Sequence, residues 1–258
     1  MSTRLTCLGT GSILQCRDRN PAGYLLESEQ LGDGLVLLDA GPGTLRRLAE
    51  LEVDTARIRH VLLSHYHLDH HVDLLGLLFQ RRNPELRARA ESLQIHGPRG
   101  FVRIYERWSQ AYGNWVAEEN LLIRELGQGE HELEEGIALH AFANQHSAAG
   151  FCYRIELGGR VLAYSGDTEG CAGLNAACRD ADFALVECSF PDELRQKGHL
   201  SPRDIRALIA LSSPKRIGLT HFYPEMAQIA DDPEQWARLW HGVQPTPVAL
   251  RDRETIEL

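Results

Sequence analysis

The run Ser64–His71, SHYHLDHH, sets four histidines and an aspartate within eight residues, directly after the apolar stretch Val61-Leu62-Leu63. Neutral imidazole and carboxylate are the side chains that bind zinc and related divalent cations. A strand would align His65, His67 and Asp69 but not His70, and a helix would put His65 and His67 on opposite sides. The stretch therefore reads as a loop at the end of a buried strand, where several donors can fold onto one point. A His-x-His-x-Asp-His spacing arises by chance in roughly one chain in a thousand of this composition. The chemistry it suggests is divalent-cation binding, at an open site or at a structural one that closes at four ligands.

Short β-rich runs alternate with helical patterns around this loop. Strands are expected near residues 4–8, 24–27, 35–39, 60–63, 93–96, 137–142, 151–156, 161–164, 184–187 and 216–219. Apolar spacing of the 3.6 type predicts helices over 44–51, 72–82, 101–108, 174–178 and 205–211, and Ser201-Pro202 with Asp204 marks the start of the last. Early strands follow one another by turns and later ones are separated by helices, which points to a mixed sheet or two sheets under outer helices. The charged stretch Asn83–Glu135 reads mostly as solvated surface around one aromatic-bearing helix. With no linker composition, residues 1–258 are expected to form a single domain.

The chain has 258 residues, 43% of them hydrophobic, and a formal charge of -9, which argues against a broad basic surface for duplex nucleic acid. No signal-like or membrane-spanning apolar run is present, and the six cysteines contain no C-x-x-C pair, so a cytoplasmic protein with reduced thiols is expected. His71, His60, His96, His131, His140 and His241 are read as packing or surface residues, with His131 in an acidic loop.

SHYHLDH resembles the His-x-His-x-Asp-His signature of the metallo-β-lactamase superfamily. The resemblance implies an α/β fold, an αββα sandwich of two mixed β-sheets flanked by helices, with further ligands at later strand ends. Asn144-Gln145-His146, Ser165-Gly166-Asp167-Thr168 and Thr220-His221-Phe222 each follow an apolar run. It implies two divalent metal ions, zinc first with manganese or iron as alternatives. His65, His67 and His146 would hold one, Asp69, His70 and His221 the other, with Asp167 between them and a bridging hydroxide as nucleophile.

LGTGS (8–12), RN (19–20), LLDAGPGT (37–44), HGPRG (96–100) and YSGDT (164–168) are similar, in order, to the ribonuclease Z and related phosphodiesterase branch. There Asp39 corresponds to a carboxylate that orients ligands, against a plain turn-forming Asp. ECSF (187–190) and GHLS (198–201) match that branch's paired blocks in part: Val186 and Leu200 replace a histidine and a serine, while Glu187 and His199 persist. Asp69, Glu187 and His199 are thus the candidate catalytic residues, with His199 as proton donor to the leaving oxygen. Transfer-RNA-processing members carry a protruding arm between the counterparts of His146 and Asp167; here two strands and a turn use the whole connection. The expected substrate is a small or flexible phosphodiester (a cyclic nucleotide, nucleotide conjugate or short RNA end), with Arg17, Arg19, Arg81 and Arg82 as candidate phosphate contacts. A thioester or lactone hydrolase on the same site, or a noncatalytic metal-stabilised sensor, are the alternatives, and a homodimer is implied.

Overall fold

The computed structural model describes residues 2–14 and 16–258. Its strands are β1 (Thr3–Gly9), β2 (Gly23–Ser28), β3 (Leu35–Ala40), β4 (Ile58–Leu62), β5 (Leu93–Pro98), β6 (Leu121–Leu126), β7 (Gly129–Glu134), β8 (Ile137–Ala143), β9 (Phe151–Leu157), β10 (Arg160–Tyr164), β11 (Phe183–Glu187), β12 (Ile217–Thr220), β13 (Val248–Ala249) and β14 (Thr255–Glu257). Helices are α1 (Thr44–Glu50), α2 (Leu68–His71), α3 (Asp73–Gln80), α4 (Pro84–Arg87), α5 (Phe101–Tyr112), α6 (Ala172–Cys178), α7 (Pro202–Ser212), α8 (Pro224–Asp231) and α9 (Pro233–Leu239).

The strands form two seven-stranded sheets, ordered β14-β1-β2-β3-β4-β5-β6 and β13-β12-β11-β10-β9-β8-β7. Each sheet carries three antiparallel and then three parallel pairings: β14 to β3 and then β3 to β6 in the first, β7 to β10 and then β10 to β13 in the second. Strand alternation sorts the apolar residues. In β3, Val36 and Leu38 join the layer between the sheets, while Leu35 and Leu37 face the helices outside the first sheet. Leu174, Leu208 and Trp240 close the corresponding outer layer of the second. Both faces of the central strands are covered, which accounts for their near-continuous apolar runs. The two mixed sheets flanked by helices are the αββα architecture that the resemblance implied.

Several expectations need correction. The stretch 83–135 adds α4, β6 and β7, and the last two strands close one edge of each sheet. His131 therefore lies in β7 and not in a loop, its ring donating toward the Gly127 carbonyl at 2.9 Å. The helix expected over 72–82 is α3, but the stretch 64–71 is not wholly a loop: Leu68–His71 form a single helical turn, α2, that carries Asp69 and His70. The C-terminal α8, α9, β13 and β14 were not anticipated; Pro224 and Pro233 open the two helices. His60 and His96 are buried as expected, 3.1 Å apart through Nδ1 and Nε2, with Glu134 2.9 Å from His60 Nε2. All six cysteines are free thiols, and among the described residues no helix is long and apolar enough to cross a membrane.

Candidate metal centre

The donors gather at the carboxyl ends of strands from both sheets, the usual place for ligands in open α/β sheets. β4 delivers His65 and His67, the one-turn α2 turns Asp69 and His70 inward, and His146, Asp167 and His221 follow β8, β10 and β12. Asp39, the penultimate residue of β3, and His221, just past β12, have φ of 53° and 57°, a left-handed conformation that non-glycine residues adopt sparingly and that concentrates at functional sites.

Candidate ligand atoms fall into three groups, the atoms of each lying within 4.8 Å of one another. Two share no residue, His65, His67, His146 and Asp167 on one side and Asp69, His70 and His221 on the other, and Asp167, His199 and His221 form the third. Asp167 Oδ2 belongs to both neighbourhoods, at 3.8 Å from His65, 3.7 Å from His146, 3.3 Å from His70 and 3.4 Å from His221, each through Nε2. Asp69 Oδ2 lies 3.5 Å from His221 Nε2, and the Nε2 atoms of His70 and His221 are 3.3 Å apart.

The opposite nitrogen of most of these rings meets an acceptor, which fixes the tautomer and leaves the inward nitrogen as a lone pair. His70 Nδ1 donates to Asp39 Oδ2 at 2.7 Å, His65 Nδ1 to Ser64 Oγ at 3.0 Å, His146 Nδ1 to the Gly198 carbonyl at 2.7 Å and His221 Nδ1 to Ser189 Oγ at 3.0 Å. Two buried carboxylates anchor this shell. Asp39 also accepts from the Ser64 N–H (2.7 Å), the Ser64 hydroxyl (2.6 Å) and the Tyr164 hydroxyl (2.5 Å). Glu187 accepts from the Ser189 hydroxyl and from the N–H groups of Thr168 and Leu200.

The electrostatics call for positive charge. Burial opposes ionisation of Asp167, yet His221 and His70 hold its carboxyl well below the usual range. Burial, reinforced by the His70 charge, keeps His65 well below an ordinary imidazole and hence neutral. Asp167 Oδ1 and His65 Nε2 are buried without a hydrogen-bond partner, an arrangement that costs about 1–3 kcal/mol per group. A carboxylate oxygen and an imidazole lone pair can both ligate one divalent cation, so the donor set fits such an ion.

His199 and Glu187 also meet, with Nδ1 3.1 Å from Oε1. Burial works against the imidazolium, but the Glu187 charge and hydrogen bond outweigh it and raise His199 to about 9. One His199 nitrogen groups with Asp167 and His221 within 4.8 Å, so the pair sits at the edge of the ligand cluster. His71 stays outside: its Nδ1 faces the His67 carbonyl at 2.8 Å and its ring stacks on Trp108.

Three of the four candidate phosphate-binding arginines serve the fold instead. Arg19 is buried over the Phe222 ring and bonds Thr10, the Leu250 carbonyl and Asp231. Arg81 is buried against Glu118 and the Glu91 carbonyl, and Arg82 reaches the Ala117 carbonyl. Arg17 is exposed. Conversely, Ser64, Ser189, Tyr164 and Gly198 were not picked out by residue type, although each lies in one of the blocks SHYHLDHH, ECSF, YSGDT and GHLS.

Residues 35–222 match the Beta-lactamase superfamily domain. The ribonuclease Z of Methanosarcina acetivorans is 26% identical over 271 residues, spanning 84% of this chain and 87% of that protein. The metallo-beta-lactamase fold protein YhfI of Bacillus subtilis superimposes with a TM-score of 0.84 at 18% identity, over 100% of both chains. The short form of human tRNase Z gives 0.73 at 21% identity over 98% of each. The chain belongs to the beta-lactamase superfamily. With this fold and this donor cluster it is a metal-dependent hydrolase acting on ester bonds.

Proposed function

We propose that the chain is a phosphodiesterase holding two divalent cations, one on His65, His67 and His146, the other on Asp69, His70 and His221, with Asp167 serving both. The reading rests chiefly on one observation, the Glu187–His199 pair set against the shared carboxylate of Asp167. When bound, such ions supply an acidified water as nucleophile and Lewis-acid stabilisation of charge on a substrate oxygen. The protein's own residues do the remainder. Asp39 and Ser64 orient His70 and His65, Ser189 and Gly198 orient His221 and His146, and Glu187 holds His199 Nδ1–H so that its other nitrogen can hand a proton to the departing alkoxide. Asp69 acts through its place in the ligand set.

The ribonuclease Z relative supports phosphodiesters over carbonyl substrates. Between His146 and Asp167 the chain has β9, β10 and their turn and no protruding arm, which, with the charge of -9, favours a small phosphodiester or a short RNA end over a duplex or a whole folded RNA. Zinc is the proposed ion on a His-rich set, with manganese or iron accepted by its carboxylates. Residues 1–258 are taken as one domain. The six free thiols suit the cytoplasm. A homodimer is assigned to the row Val72, Leu75 and Phe79 beside Trp115, of which Phe79 and Trp115 are 58% and 65% exposed.

The test is turnover of bis(p-nitrophenyl) phosphate beside a thioester and a lactone by the metal-loaded protein. Hydrolysis of the carbonyl substrates alone would sink the phosphodiesterase reading. His199→Ala should lower turnover of a phosphodiester with a poor alkoxide leaving group by roughly 10²–10⁴-fold at unchanged metal content. The loss should be far smaller with p-nitrophenolate, which leaves without a proton. Equal losses on both would remove the acid role.

A further inference from the structure

The strand ends that carry the second group of donors also carry two aromatic rings that no step above uses. Phe190 follows Ser189 and Tyr223 lies two residues past His221, and the Tyr223 N–H donates to the Ser189 carbonyl at 3.2 Å, binding the two loops together. Their rings stack with centroids 4.3 Å apart and planes 29° apart. His199 presents an edge to both, at 5.6 Å from Phe190 and 5.7 Å from Tyr223, and Tyr223 is 5.9 Å from His221. Both rings are half-buried, so each is packed on part of its surface and reachable on the rest. The Tyr223 hydroxyl makes no hydrogen bond among the described residues, which leaves its O–H to donate.

The remaining surroundings narrow what this stack can meet. Arg19 and Arg81, the obvious partners for a second charged group, are buried on protein acceptors. Beside the ligands stand exposed apolar side chains instead: Leu68, between His67 and Asp69, and Ile13 and Leu14, just beyond Gly11, which bridges to Phe222. A planar aromatic group would find a π face, apolar edges and one hydroxyl donor, the combination by which proteins hold unpaired bases without reading sequence.

Resting on the phosphodiesterase reading, we propose that Phe190 and Tyr223 form a stacking platform for a nucleobase, so that the substrate is a nucleotidyl phosphodiester whose base lies beside His199 while its phosphate meets the metal-ligand cluster. The platform sets specificity and takes no part in bond cleavage.

Two esters with the same leaving group test it: the p-nitrophenyl ester of thymidine 5′-monophosphate and ethyl p-nitrophenyl phosphate, each with the metal-loaded enzyme. The nucleotide ester should be preferred in kcat/KM by about tenfold or more, the scale of one base–aromatic stack. Phe190→Leu and Tyr223→Leu keep apolar bulk but remove the π face, and each should collapse that ratio toward one, mainly through KM; Phe190→Tyr should restore it. Binding of thymidine 5′-monophosphate to the metal-free protein, followed by saturation-transfer NMR, should give strongest transfer to the base protons and lose it in Phe190→Leu. A wild-type ratio within twofold of one, or variants that slow both esters in parallel, overturns the platform and leaves the phosphodiesterase reading standing. If neither ester is cleaved while a thioester or lactone is, both fall together.

Discussion

Replacing Asp39 by asparagine isolates what a buried carboxylate does for a ligand it does not share with the metal. Asparagine keeps the shape and tolerates the φ of 53° at this position, so the backbone needs no rearrangement. The hydrogen bonds cannot all survive. Oδ1 accepts from the Ser64 N–H, and Oδ2 from the Ser64 hydroxyl, His70 Nδ1 and the Tyr164 hydroxyl. An amide nitrogen at the Oδ2 position would face three donors; at the Oδ1 position it would face one. The second orientation wins and leaves one donor-against-donor contact in a fully buried place, about 1–3 kcal/mol. At about 2–4 °C per kcal/mol for a chain near this size, the metal-free variant should melt roughly 2–12 °C lower. His70 meanwhile keeps an acceptor but loses a charged one, and loss of such a supporting partner typically costs about 10–100-fold in metal affinity. Competition titration with a chromophoric chelator measures the affinity and calorimetry of the metal-free protein measures the melting. Zinc affinity unchanged within twofold in a folded variant would refute the claim that Asp39 positions His70.

Other outcomes follow from the same geometry. Gly198 has φ of 88°, and a Cβ there would lie 2.8 Å from His146 Nδ1, so Gly198→Ala should displace that ring and weaken one of two metal-binding steps in a zinc titration. Removing metal with a chelator should lower the melting temperature. At free ion about a thousandfold above Kd, bound metal contributes about 4 kcal/mol per site, which differential scanning calorimetry would register as a fall of about 8–16 °C for each site emptied. His96 is pushed down to about 3, chiefly by burial and then by the charge of its neighbour His60. Below the ordinary imidazole value the unfolded chain therefore binds a proton that the folded chain refuses, and stability falls as pH drops from about 6.5 toward 3. The urea midpoint of metal-free His96→Gln, measured against the parent from pH 4 to 7, should show a difference that shrinks or reverses on acidification; a pH-independent difference would contradict this.

The sequence disclosed the site unevenly, for physical reasons. His65, His67, Asp69 and His70 are legible because one loop carries them and their spacing fits neither helix nor strand. His146, Asp167 and His221 are single residues at separate strand ends, visible only once the resemblance supplies their order. Ser189 and the Gly198 carbonyl contribute one hydrogen bond each to a ring far away in sequence, and nothing in their type announces it. β6 and β7 were hidden because charge crowds their outer positions, leaving Leu126 and Leu133 as their buried anchors. β13 and β14 are too short to show a period. Arg19 and Arg81 looked like free cations because their acceptors, Asp231 and Glu118, become neighbours only in the folded chain.

The short link from Leu126 to Gly129 carries the chain from one sheet to the other, like the spine of a book whose covers each hold half of a clasp. His65, His67, Asp69 and His70 sit on one cover and His146, Asp167 and His221 on the other, so neither donor group closes without both. Ion uptake should therefore be felt as a mechanical event, slowing amide hydrogen exchange in β4 and β12 together, on opposite covers. The link from Ala249 to Thr255 joins the sheets again at their other edge, so the apo protein would keep both edges and breathe at the strand ends that hold the donors.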